Sequence, residues 1–280
     1  MRPVRMAVRR VRCAGAKAKY LALFLAGRVR RIPMQSVMDE YAFSLGSDGW
    51  HYFRALMAER DRRPSARLED TTFFRFFQDE RVQAVRYLND LLFLHDPEQR
   101  ARCRFEFYFG TYPWGDFWTR YSVVGGKPWG YHYDRVEGKD TRDLYGYRRN
   151  PWYRPGDAYP LEAEWRHTAT LLRSLRAGYR PWWHGSFPEV VLLVRADGAM
   201  RAVRCEGHHR LAALSHLGYG EVTVVIPRTS LAVVKEIDVD SWYYVRRGLC
   251  GREDALVIFH AFFELNGRER VRYLGLDPVY

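Results

Sequence analysis

The 280-residue chain is 47% hydrophobic and 16% aromatic, enough to bury a sizeable core and too apolar for a disordered chain. Its formal charge of +12 is unevenly placed: residues 1–31 hold ten Lys or Arg (Arg2, Arg5, Arg9, Arg10, Arg12, Lys17, Lys19, Arg28, Arg30, Arg31) and no acid, leaving 35 basic against 33 acidic residues elsewhere. The near-neutral body carries no electrostatic footprint for nucleic acid, so nucleic-acid binding by the folded part is not expected.

The basic segment 1–31 surrounds an apolar run, Tyr20-Leu21-Ala22-Leu23-Phe24-Leu25-Ala26-Gly27, far shorter than the ~20 helical residues that span a bilayer. It reads as an element lying on an anionic membrane surface, where each basic residue near the headgroups is worth about 1 kcal/mol. The alternatives are a disordered basic arm, a borderline signal peptide and a mis-called start. Cys13, Cys103, Cys205 and Cys250 are widely spaced and form no Cys-x-x-Cys pair, which points away from zinc and from a disulfide framework. A reducing cytoplasm is therefore expected, with peripheral attachment to the inner face of the membrane if the tail binds lipid.

Beyond the tail, the pattern predicts helix over Ile32 to Leu68, broken at Arg60-Asp61-Arg62-Arg63-Pro64. Thr71 or Thr72 can cap a second helix through Val82, Val85, Leu88, Leu91 and Leu92, which Asp96-Pro97 ends. Residues 105–153 hold sixteen aromatic residues among recurring Pro-Trp and Trp-Gly pairs, so ordered loops are expected there, since proline and glycine interrupt both helix and ladder. One reading has these rings packing the halves of the chain together; the other has Trp114, Asp116, Trp129, Asp134 and Arg154 lining a site for a hydroxylated molecule such as a sugar or glycan, with rings against its C–H face and charged groups on its hydroxyls.

Trp165, Thr168, Leu171, Leu172 and Leu175 recur at helical spacing and stop at Gly178 before Pro181. Glu189 to Arg195 reads as a buried strand, Asp197-Gly198 as a hairpin turn, Met200 to Cys205 as the returning strand, and Glu221 to Ile226 as another. Between them Glu206-Gly207-His208-His209-Arg210 opens a helix marked by Leu211, Leu214 and Leu217 that ends at Gly218. A strand, a glycine turn and a helix start bring backbone N–H groups and an arginine to one point, an arrangement suited to a phosphate. Farther on, Asp238 to Trp242 leads to Gly251-Arg252-Glu253-Asp254 and an apolar helix from Ala255 to Leu265.

The order helix, hairpin, Gly-His-His-Arg turn, helix, strand resembles the ParB/sulfiredoxin-like superfamily, whose members carry a Gly-x-x-Arg turn that binds nucleotide phosphates. The resemblance covers residues 158–228, and the motif Glu206-Gly207-His208-His209-Arg210 is similar to the Asp-Gly-His-His-Arg of the branch that contains free-serine kinases. Pro160-Leu161-Glu162 sits where those kinases have Pro-His-Glu, and the resemblance implies that Glu162 is the catalytic base. It further implies phosphate binding by Gly207, His208, His209 and Arg210, catalytic roles for Glu206 and His209, and ATP or another nucleoside triphosphate with Mg2+ as cofactors. Two other members fit less well. Sulfiredoxins need a reactive cysteine where His208 stands, and partition-type ParB proteins continue into a helix-turn-helix, of which the residues after Ile226 show no sign.

The expected architecture is α+β: a basic tail (1–31), a helical and then aromatic-rich region (32–157), a mixed-sheet ParB/sulfiredoxin-like nucleotide-binding domain (158–228) and a helical extension (229–280). The expected function is nucleotide-dependent phosphoryl transfer to a small hydroxylated substrate. The alternatives are a non-catalytic nucleotide-binding regulator and a ParB-like protein or DNA interaction module.

Overall fold

The structure, a computed structural model, describes residues 18, 20–83, 85, 88–102, 135–136, 139–140, 159–184, 187–227 and 232–276. It is α+β, built on a mixed six-stranded sheet. The centre is the hairpin read from the sequence: β3 (Glu189–Val194) and β4 (Met200–Glu206) pair antiparallel from Val194↔Met200 to Glu189↔Glu206. Asp197-Gly198 makes the turn, with the Asp197 carboxylate accepting from the Ala199 amide at 2.9 Å. Along β3, Val190, Val191 and Leu193 are buried, a near-continuous apolar run that suits a strand covered on both faces. β5 (Glu221–Val225) and β6 (Val233–Lys235) both run parallel to β3, at its two ends.

The outer strands come from a region expected to be tail and helix. β1 (Val29–Pro33) pairs antiparallel with β5, from Val29↔Val225 to Pro33↔Glu221, and β2 (Val37–Met38) pairs parallel with β4. The helix expected from Ile32 therefore begins only at α1 (Tyr52–Arg62). β1 also crosses the expected boundary between residues 31 and 32, taking the last basic residues of the tail into the sheet. Pro33 cannot donate in a helix interior, and Ile32 is worth more against β5 than in an isolated turn.

Helices cover the sheet. α1 starts at His51, whose Nδ1 accepts from the Phe53 amide at 3.2 Å, and α2 (Thr72–Gln78) starts at Thr71, whose hydroxyl accepts from the Phe74 amide at 3.1 Å. Both are polar caps for amides that lack an intrahelical partner. The helix expected to run on from Thr72 is interrupted, and Leu88–Leu92 and Pro97–Arg102 form separate short helices. Phe43, Trp50, Tyr52, Phe53, Phe73, Phe76 and Phe77 interlock across α1, α2 and the loop before them, with ring centroids 4.8–6.5 Å apart. α3 (Tyr159–Arg176) and α4 (His208–His216) complete this side. The predicted apolar C-terminal helix appears as α5 (Arg252–Glu264), which buries Ala255, Ile258, Phe259 and Phe262. After it, α6 (Arg268–Tyr273) sends Arg270 into the interior, where its guanidinium donates to the Tyr41 and Ala42 carbonyls at 2.6 Å and lies over Phe43. Among the described residues no helix is long and apolar enough to cross a membrane.

Candidate functional site

The site forms where β4 ends and α4 begins. Glu206 closes the strand and is exposed; Gly207 follows in the left-handed region at φ 86° and caps α4, with no side-chain acceptor at the cap. Two constraints select glycine there. A side chain is strained at that φ, and a Cβ would lie 3.2 Å from Cα of Pro188. Leu211, Ala212, Ala213 and Leu214 are buried and seat the helix, while the chain leaves it at Gly218, where the Tyr219 amide reaches the Leu214 carbonyl at 3.0 Å. His208, His209 and Arg210 thus occupy the first turn, half-buried. Amides of a first turn have no carbonyl four residues back to bond, and their partial positive charge favours an anion.

Two further histidines surround this turn. The His208 and His209 rings are 3.9 Å apart; Phe53 of α1 packs 4.4 Å from His209 and 5.4 Å from His208, and His167 of α3 meets His209 at 4.7 Å. Beneath them His51, fully buried, has its Nε2 3.8 Å from the Asp39 carboxylate. Burial pulls the His51 pKa down to about 3, helped by Arg54 and His209. His208 is held well below its ordinary value, chiefly by loss of water, with His209, Arg204, His51 and His167 adding to it. At neutral pH His51 and His208 are therefore uncharged, and His208 offers a ligand hydrogen bonds rather than a positive charge. Arg210 brings a permanent positive charge to the turn.

A second polar layer lies under the first. Arg204 of β4 is buried and paired with buried Glu40, and its Nη1 donates to the Cys205 carbonyl at 3.4 Å. Asp39 accepts from the Tyr41 and Phe43 amides at 2.8 and 2.9 Å, yet burial leaves its carboxyl above its ordinary range. With Glu40 as its partner in the interior, Arg204 is part of the packed framework beneath the turn. Near Arg210 stands Tyr179, whose hydroxyl is buried without a hydrogen-bond partner among the described residues and whose pKa is pushed up to about 12, mainly by burial.

Of the residues expected at the site, Gly207, His208, His209 and Arg210 fall together, with Glu206 beside them. Glu162 lies in the first turn of α3, the helix that brings His167 to His209. The two are five positions apart, about 7.5 Å along a helix axis; the side chain of Glu162 is outside the described residues, as are Trp114, Asp116, Trp129, Asp134 and Arg154. Sequence reasoning missed His51, His167, Asp39 and Glu40. Nothing local marks them: they are polar residues that tertiary packing carries to the turn or to the layer beneath it.

Among the described residues no group of three His, Cys, Asp or Glu is arranged to hold a metal ion. Mg2+ commonly takes only one or two carboxylates and completes its shell with phosphate oxygens and water. Exposed Glu206 fits that lesser demand. Cys205 is partly buried, and burial raises its thiol pKa to about 12, the reverse of a reactive cysteine. Iodoacetamide at pH 8 should therefore label Cys205 far more slowly in the native protein than in guanidinium, as peptide mass spectrometry would show; equal rates would place the thiol in water. No family model, curated protein or solved structure matches the chain.

Proposed function

We propose that the turn from Gly207 to Arg210 binds the phosphates of a nucleoside triphosphate and that the protein transfers a phosphoryl group to a small hydroxylated acceptor. On this reading residues 158–228 form a ParB/sulfiredoxin-like domain that draws its outer strands from residues 29–38. The observation that carries the reading is the left-handed glycine at the start of α4, followed within one turn by two histidines and an arginine. That combination supplies amide donors, the neutral imidazole of His208, a second imidazole from His209 and one bidentate cation.

Phosphoryl transfer asks for positioning and charge neutralisation more than for covalent chemistry, and the residues divide accordingly. Arg210 and the first-turn amides would hold phosphate oxygens, and His208 and His209, braced by Phe53 and His167, would orient them. Glu206 would hold Mg2+, which when bound supplies charge neutralisation to the phosphates. Glu162 would accept the proton of the acceptor hydroxyl. An acceptor such as a sugar or glycan suits the aromatic residues of 105–153.

Arg210→Ala tests the proposal. Calorimetric titration of the full chain with ATP, CTP and GTP, each with Mg2+, should show at least one nucleotide binding to the wild type. Affinity for it should fall about tenfold or more in the variant, because each charge-assisted bond is worth about 1.5–3 kcal/mol. Unchanged affinity in a variant with the wild-type melting curve would overturn the phosphate role of the turn.

A further inference from the structure

The helical segment over residues 20–25 is apolar on every side, and its two faces meet different surroundings. Tyr20 and Leu23 are buried against Phe187 and Val225, with the Tyr20 ring 4.7 Å from Phe187. One step around the helix, Leu21, Phe24 and Leu25 are 55%, 54% and 78% exposed, at the i, i+3, i+4 spacing of a single stripe. Trp182 extends the stripe: it is 40% exposed, 6.0 Å from Phe24, and its backing ring is Phe187. The segment is held to the sheet just beyond its end, where Arg28 donates to the Pro227 carbonyl at 2.9 Å and Arg31 pairs with Glu221. A stripe of this kind, fixed outward on a folded body, is an interaction surface.

We infer that this stripe docks the protein on an anionic lipid bilayer, with Leu21, Phe24 and Leu25 entering the headgroup and acyl boundary and Trp182 at its edge. Charge selects the occupant. The stripe emerges from residues 1–31, which hold ten basic residues and no acid, and Arg180 beside Trp182 is exposed. A second copy of the chain would bring the same positive segment to the same place and be repelled. An anionic surface instead attracts the segment while accepting the apolar side chains, and a tryptophan at the rim of such a contact matches the preference of indole for the interface.

The full-length protein should co-sediment with vesicles of phosphatidylglycerol and phosphatidylcholine, less with phosphatidylcholine alone, and less again in about 0.5 M salt, where charge is screened. Leu25→Glu, at the most exposed position, should weaken partitioning about tenfold or more without altering the melting temperature. Phe24→Ser should weaken it in the same direction. Removal of residues 2–17, which takes away six of the ten basic residues, should reduce the preference for anionic lipid and leave the sensitivity to Leu25→Glu. Equal binding of the wild type to neutral and anionic vesicles, or unchanged binding of Leu25→Glu, would overturn the inference. So would a dimer in lipid-free solution that Leu25→Glu dissociates, since the stripe would then belong to a second copy.

Discussion

Acidification between pH 6.5 and 3 should unfold this protein through its buried histidines. The native state keeps His51 neutral down to about pH 3, because burial opposes its charge and Arg54 and His209 repel a proton. An unfolded chain has an ordinary histidine near 6.5 and binds more protons anywhere between those values. The stability that follows from a neutral His51 is therefore complete above pH 6.5 and declines as pH falls toward 3, by about 1.4 kcal/mol per pH unit for one histidine. Over the whole window this amounts to about 5 kcal/mol, comparable with the entire stability of many domains. His208, also held well below its ordinary value by burial, acts in the same direction. Asp39, raised by burial, acts in the opposite one, since a carboxyl that protonates more easily when folded favours the folded state in acid. His51→Asn separates these contributions, because asparagine can still cap α1 but does not titrate. Urea denaturation at pH 7 and pH 5 should show a smaller loss in the variant than in the wild type, by about 2 kcal/mol. Equal losses would mean that His51 protonates in place.

The second large effect concerns Glu162, whose helix α3 also carries His167 against the turn. If Glu162 takes the proton of the attacking hydroxyl, Glu162→Gln keeps its shape, removes its basicity and should lower turnover by on the order of 10² to 10⁴. Nucleotide affinity should hardly change, since phosphate oxygens are assigned to Arg210 and the α4 amides. Phosphoryl transfer or hydrolysis of Mg-ATP, measured beside calorimetric affinity, checks both halves. Parallel loss of binding and turnover would assign Glu162 to the metal or the nucleotide and move the search for a proton acceptor to Asp116 and Asp134.

Local chemistry made the hairpin and the turn legible. Asp197-Gly198 between two apolar runs, Gly207 before a helical pattern and Gly218 after it each state a backbone conformation, and β3, β4, α4 and β5 formed within a residue or two of those signals. β1 and β2 were not legible. Arg30 and Arg31 give β1 the look of a charged tail, Pro33 ends it after five residues, and β2 has two residues, too few for any alternation to show. Their strand character comes from β5 and β4, partners nearly two hundred and about 165 residues away. Half of the site followed the same rule: the four residues after Glu206 were visible as a motif, whereas His51 and His167 acquire meaning only when α1 and α3 fold against α4.

The pairing of Val29 with Val225 also sets an order of events during synthesis. A ribosome adding about 5–20 residues per second makes β1 roughly ten to forty seconds before its partner exists. Throughout that interval the β1 segment, its amides and carbonyls hydrogen-bonded to water and joined to the apolar segment over residues 20–25, has no sheet to join. Loop closure over such a span is slow compared with formation of the β3–β4 hairpin. The hairpin and the Gly207–Arg210 turn that depends on it would therefore be assembled first, and the amino-terminal strands would be added last, closing the sheet over a largely finished core.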